Sequence, residues 1–300
     1  MIQHIAIPVG FLALLFAATS LSVSSPDIGQ ETKKDAVHEL LESLETKDPK
    51  PLGFINPKKY IQHNLQIEDG LDGLKKLISR LPKDTKANVV RIFADGDYVI
   101  THSELISSVD KVAIDVFRFE SGKIVEHWDN LEEKCPNLNF SGRSQLDGST
   151  EVVDTDKTEA NKALVKEYFQ TVVFGGKGDQ IAKYRSMDNF HQHNCQGEDN
   201  KSGGQVTRGI FAKPGFVFKI EKVHKILGEG NFVLVMSEGL FDAKPTAFYD
   251  LYRLEDNRMV EHWDVLGTYA PKRAMEKYER QVLVRKRVVS FHFRTMSLLI

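Results

Sequence analysis

Glu126-His127-Trp128-Asp129 recurs as Glu261-His262-Trp263-Asp264, and these segments hold the only two tryptophans of the chain. On an extended strand, residues two apart share a face, so His127 sits beside Asp129 and His262 beside Asp264. In a cup of low dielectric, burial raises a carboxyl pKa and a neighbouring cation lowers it. A carboxyl tuned between those pulls can move a proton at an enolisable carbon or activate a water. His127, Asp129, His262 and Asp264 are therefore the candidate catalytic residues.

Further residues repeat in the same order. Gln62-His63-Asn64 returns as Gln192-His193-Asn194, and Asp115-Val116-Phe117-Arg118 as Asp250-Leu251-Tyr252-Arg253. The spacing is about 130 to 135 residues throughout, which reads as a duplicated domain of roughly 105 residues. A two-residue turn at Ser121-Gly122 would pair Val116 with His127 and Ile114 with Asp129. Arg118 then joins His127 and Asp129, with Asp115, Glu126 and Trp128 on the other face, and Arg253 joins His262 and Asp264 likewise. A β-bulge would exchange the faces. His63, Asn64, His193 and Asn194, each pair following an aromatic residue, are placed at the mouth of the cup to orient a ligand. Arg118, Arg253 and the mid-strand His102, which Met236 replaces in the second copy, complete the candidate binding set. The competing reading is structural: Arg and Asp stitch strands, the His-Asn pairs cap helices, and the tryptophans pack between the copies.

His63, His102, His127 and Asp129 are metal-ligand types, but no local spacing supports ligation. Neither a metal nor a cofactor is expected. The first copy, with His102, Asp69-Gly70 and Tyr60, is expected to carry more of any catalysis than the second, which has Met236, a rewritten loop and Phe190.

The elements that must hold these residues are legible as periodicities. Thr32–Leu44 and Gly70–Leu81 show helical apolar spacing, and Asn56-Pro57 is a plausible start for a short helix over Phe54–Tyr60. Two hairpins follow, Ala87–Phe93 with Tyr98–Ile106 and Val112–Phe119 with Ile124–Asn130. After a Gly-, Ser- and Asn-containing linker over 133–156, expected to be irregular and exposed, the second copy opens with a helix over Lys157–Phe174. Its hairpins are Phe216–Leu227 with Phe232–Phe241 and Thr246–Leu254 with Met259–Leu266. Helices followed by a curved antiparallel sheet, twice, make an α+β cone architecture. The copies span 32–132 and 157–268, and should pack through the open faces of their sheets, burying Trp128 and Trp263.

Three hundred residues and a net charge of −2 fit two ordinary domains and give no reason to expect nucleic acid as partner. Residues 1–24 read as a secretory signal peptide, with an apolar run over 5–18, small residues after it and Pro26 beyond. A secreted or extracytoplasmic location is expected, with no membrane association once the leader is cleaved. Cys135 and Cys195 could pair in that compartment, but nothing in their spacing compels it, and two separate thiols are the preferred reading. Residues 269–300 form a basic tail without a counterpart after the first copy.

The paired segments from "YIQHN" to "DVFRFESGKIVEHWDN" and from "FHQHN" to "LYRLEDNRMVEHWD" resemble the SnoaL-like family of the nuclear transport factor 2-like superfamily, over residues 35–268. In particular they resemble its two-copy members labelled as predicted aldol-condensation-catalysing enzymes. The resemblance implies two tandem cone-shaped domains and, from its polyketide-cyclase members, cofactor-free ring closure with an Asp as acid and base, a role that would fall on Asp129 and Asp264. The related limonene-epoxide hydrolase has a catalytic Asp on the same strand, but its Arg-x-Asp pattern is not reproduced. Leu65 and Cys195 stand where the family commonly has Pro. Three readings follow: a secreted aldol-type lyase, cyclase or isomerase acting on a small hydrophobic or carbonyl-containing molecule; a non-catalytic pocket protein; and a scaffold in which the copies form an internal pseudo-dimer.

Overall fold

A computed structural model describes residues 28–201 and 209–268. The leader and the basic tail lie outside the described residues. Among those described, no helix is long and apolar enough to cross a membrane.

The fold is mixed α+β with two five-stranded sheets and few helices. In the first half, α1 (Gln30–Thr46) and α2 (Leu71–Arg80) cover a sheet of β1 (Ile61–Gln62), β2 (Lys86–Asp95), β3 (Tyr98–Ile106), β4 (Lys111–Glu120) and β5 (Lys123–Glu133). The order is β1-β5-β4-β3-β2, with β1 parallel to β5 and the rest antiparallel. The second half places β6 (His191–Gln192), β7 (Phe218–Glu229), β8 (Phe232–Phe241), β9 (Lys244–Glu255) and β10 (Arg258–Thr268) in the equivalent order β6-β10-β9-β8-β7. Its main helix, α3 (Thr158–Tyr168), continues into a π turn over Phe169–Phe174.

Each sheet buries both faces. One packs on its own helices: Val37, Leu40 and Leu41 of α1 meet Phe117 and Phe119, and Val165 of α3 packs with Phe248 and Tyr252. The other faces the opposite sheet, where Phe93, Ile100, Ile114 and Val116 pack with Phe232, Leu234, Leu251 and Trp263. The contacts between the sheets are reciprocal. Ala94 N donates to Glu229 at 2.6 Å while Gly228 N donates to Asp95 at 3.0 Å. Arg91 lies 4.1 Å over Trp263, and Lys225 lies 5.1 Å over Trp128. β5 crosses β10 where Asn130 Nδ2 donates to the carbonyls of Val265 and Ala247, at 2.7 and 2.9 Å. Gly267 lies beneath that amide, where a Cβ would collide with it.

Three sequence expectations need correction. Asn56 starts no helix: its side chain accepts from the backbone N–H groups of Lys58 and Lys59, and the 3₁₀ turn nearby is Lys50–Phe54, before it. The linker over 133–156, irregular and largely exposed, forms a strap docked on both halves, its carbonyls at Leu146, Asp147 and Ser149 accepting from Arg91. Gly148 (φ 91°) lets it lie flat, since an added Cβ would stand 2.5 Å from Glu261 and 2.8 Å from the Trp263 ring. By carrying Cys135 to the second His-Asn segment, the strap brings it to Cys195, and the two form a disulfide with Cα atoms 6.0 Å apart.

The third correction concerns register. A bulge at Val125 pairs Arg118 with Glu126, Phe117 with His127 and Asp115 with Asp129. A bulge at Val260 gives Arg253–Glu261, Tyr252–His262 and Asp250–Asp264. The cause is local, because Ile124-Val125 and Met259-Val260 are consecutive apolar residues and all four are buried. Strict alternation would turn one of each pair towards the wrong face.

Candidate functional site

The bulges decide which side chains meet. Asp115, His127 and Asp129 share the face beneath the helices of the first half, and Asp250, His262 and Asp264 the equivalent face of the second. Arg118 and Arg253 lie on the other face, where their Nε atoms donate to Glu126 (2.7 Å) and Glu261. His63 and His193 are there too, stacked on Trp128 and Trp263 with ring centroids 4.6 Å apart in each case. His102 pairs with Ile114, on the face between the sheets. It is fully buried beside Arg91 (3.1 Å) and edge-on to Trp263. The placement of His63, His193, His102, Arg118 and Arg253 in the cups is thus corrected, while Asn64 and Asn194 do reach in.

The residues that fill those places are Gln62, Gln192, Asp115 and Asp250. In the second cup, Gln192 Nε2 donates to the Lys201 carbonyl (3.1 Å), which leaves Oε1 to accept from His262 Nδ1 at 2.8 Å. His262 Nε2 lies 2.9 Å from Asp250 Oδ1, and Asn194 Nδ2 donates to Asp264 at 3.2 Å. The first cup repeats this: His127 lies between Gln62 and Asp115 (3.0 Å), and Asn64 donates to Asp129 at 2.8 Å. The signal for Gln is present in both Gln-His-Asn triplets, because alternation puts Gln and Asn on one side and His on the other. The signal for Asp115 and Asp250 is their recurrence, hidden by the bulge.

Electrostatics follow from this geometry. Burial disfavours the imidazolium of His262, but the hydrogen bond to Asp250 and the charges of Asp264 and Asp250 outweigh it, and its pKa is raised. The same balance raises His127. Burial pushes the Asp264 carboxyl up to about 6, with the His262 charge pulling it down and the Asp250 charge adding to the rise. Asp129 is also raised, again by burial first. Glu132, which reaches across from β5 and accepts from Leu266 N at 2.9 Å, is pushed up to about 8 by burial and by the charge of Asp264.

Asp264 opens onto a cavity of about 480 Å³ beneath α3, a size that suits a small organic ligand. Its walls are aromatic, including Tyr168, Phe169, Phe190, Phe248 and Tyr252, and its polar groups are Gln192, Asn194, Asp250, His262, Asp264 and Arg185. This cavity belongs to the second half, although the sequence weighted the first. Each Asp-His-Asp trio offers three ligand atoms within 4.8 Å and is where a metal ion could be held. In this structure the His–Asp hydrogen bonds and the Asn64 and Asn194 amides hold these groups in place.

No family model matches the chain, and no curated protein matches it. Solved structures do. TsrD from Streptomyces laurentii is 18% identical, covering 35% of this chain and 92% of its own, with a TM-score of 0.32. A candidate SnoaL-like polyketide cyclase from Jannaschia is 14% identical over 36% of this chain and 91% of its own, at 0.31. An LEH-like epoxide hydrolase from M. tuberculosis is 21% identical over 34% of this chain and 84% of its own, at 0.30. At these scores and identities the likenesses assign no function.

Proposed function

We propose that the chain is a cofactor-independent acid–base enzyme whose second cup acts on a small carbonyl compound, as an aldol-type lyase, cyclase or isomerase. The observation that carries this reading is a carboxyl raised to about 6, opening onto an aromatic cavity and held by Asn194. Near neutral pH Asp264 is ionised often enough to take a proton from a carbon next to a carbonyl. Its raised pKa makes it a competent acid for returning that proton elsewhere. His262 works behind it: with both nitrogens engaged, it holds a positive charge beside Asp264 and exchanges no proton with substrate.

The same engagement favours a second reading, a pocket that binds without turnover, because no imidazole nitrogen remains to serve a ligand. Deuterium exchange of a panel of enolisable ketones and 1,3-diketones in D₂O, followed by proton NMR, separates the two. Exchange above the buffer rate that vanishes in Asp264→Asn supports catalysis. No exchange with any member, or equal exchange by the variant, defeats it and leaves the binding reading.

Two further parts of this reading concern organisation. The halves are taken as two copies of one domain, 32–132 and 157–268, joined by the strap as an internal pseudo-dimer. We also propose a location outside the cytoplasm, a reading supported by the apolar run over 5–18 and by the Cys135–Cys195 disulfide. Labelling of intact thiols after non-reducing isolation tests the latter, with no reactive thiol expected.

A further inference from the structure

Arg185 lines the cavity, 2% exposed, and no carboxylate among the described residues pairs with it. Its backbone is pinned: Arg185 N donates to Ile181 O (3.0 Å), and the flanking residues exchange hydrogen bonds with Met259 at the edge of β10 (Ser186 N to Met259 O, 3.0 Å; Met259 N to Tyr184 O, 2.8 Å). The guanidinium lies over the Phe190 ring at 4.7 Å, and Nη2 donates to Asn200 O at 3.3 Å, with Met187 Sδ at 3.8 Å. Nε is buried and has no hydrogen-bond partner. Burial lowers the pKa of this guanidinium, and among the described residues the groups acting in the other direction are Tyr168 and Tyr252, two cavity residues. The corresponding position in the first half is Ile55, which bridges to Ile124 as Arg185 bridges to Met259. The fold therefore does not need an arginine there.

A buried cation without an anion is costly, and buried charges are ordinarily paired. The partner this one lacks must be small enough for the cavity and flat enough to meet a guanidinium edge, whose N–H fork matches a carboxylate in both shape and charge. Apart from the polar side formed by Gln192, Asn194, Asp250, His262 and Asp264, the remaining wall is aromatic and aliphatic, which suits a molecule whose body is largely apolar.

We propose that the cavity is a binding site for an apolar carboxylate, with Arg185 as its counter-charge and the aromatic wall of Tyr168, Phe169, Phe190 and Phe248 receiving the hydrocarbon part. The proposal rests on the reading of this cup as the ligand site and narrows its ligand to a carboxylic acid. If there is turnover, the carboxylate anchored at Arg185 orients the remainder of the substrate towards Asp264.

The test uses the full chain and isothermal titration at pH 7.5 with phenylacetate, 2-naphthoate and octanoate, each beside its methyl ester. The acids should bind about tenfold or more tightly than the esters, a difference in line with charge-assisted hydrogen bonds. Arg185→Met, which keeps length without charge, should erase that preference, and Arg185→Lys should restore part of it. Esters binding as well as acids, or an unchanged preference in Arg185→Met, overturns the proposal. Should Arg185→Met not fold, the acid–ester comparison on the unmodified chain still decides. If none of the acids binds while Asp264→Asn still abolishes ketone exchange, the acid–base reading stands and the carboxylate assignment falls. Acid binding without any exchange keeps the carboxylate assignment and removes the acid–base reading.

Discussion

In the first half, the strand that carries His127 and Asp129 is bridged at Ile124 by Ile55, and Asp115 is 3.5 Å from Thr101 Oγ1. In the second, Asp250, His262 and Asp264 lie beside Arg185, and Val235 stands opposite Asp250. The outer faces differ as well. Trp263 is 1% exposed, under a strap whose Asp147 carbonyl accepts from its indole N–H at 2.9 Å, whereas Trp128 is only half-buried. His193 lies between Asp147 (2.6 Å) and Glu261 (3.3 Å), but His63 has Glu126 alone at 2.8 Å among ion-pair partners. Identical trios thus sit in different surroundings. The trio is common to both halves, and the residues around it, Arg185 and Val235 among them, belong to the cup that opens onto the cavity.

The largest effect that would break this comparison is on turnover. Asp264→Asn removes the base at nearly constant volume and should lower the rate of any exchange reaction by about 10²–10⁴-fold, while Asp129→Asn changes it only a few-fold. Equal losses, measured on the same ketone, would mean that both cups work. Next come the tryptophans. Trp263→Ala should cost about 3–5 kcal/mol in urea unfolding, and Trp128→Ala about 1–2 kcal/mol, because only the former is enclosed by the strap. Similar costs would show that the strap adds nothing.

Opening the Cys135–Cys195 link by replacing both with Ser should cost about 2–4 kcal/mol, read in the same unfolding experiment. A shift much below that would show that the strap is held by its hydrogen bonds.

The last effect is on pH dependence. The folded pKa of Asp264, about 6, stands above the unfolded carboxyl value, so the native state holds an extra proton between them. Its burial therefore opposes folding increasingly as pH rises from about 4 to 6, by at most about 3 kcal/mol. Relative to the unmodified chain, Asp264→Asn should gain stability over that window and stay level above it. A loss over the window, in unfolding series from pH 4 to 8, would show the carboxyl to be stabilised by folding.

Much of this is legible in the sequence alone. The periodicities place α1, α2, α3 and all eight long strands within a few residues, because amphipathic spacing and turn pairs such as Ser121-Gly122 are local signals. The trio's His and Asp are legible from recurrence. Their neighbours are not, because a single extra residue in a strand exchanges the sides of everything beyond it, and the apolar doublets that cause it look ordinary in a β-rich sequence. Arg185 is silent for another reason: it sits in a stretch where the two halves do not align visibly, and its significance depends on which partners it lacks among the described residues. The strap is hidden because Gly, Ser and Asn suit a docked extended segment as well as a loose one.

The sheet-to-sheet contact contains groups that a freely associating pair of chains would tolerate poorly: neutral His102 with a bare Nε2, and Glu132 held as an acid to about pH 8. Separate subunits meeting through such a surface would also lose translational and rotational freedom, and would part on dilution. Here the strap supplies the second partner at an effective concentration set by its own length and route, so the contact is intramolecular and independent of how dilute the protein is. That tether leaves room for polar imperfections at the seam, and it lets one cup change its wall without the same change appearing in the other.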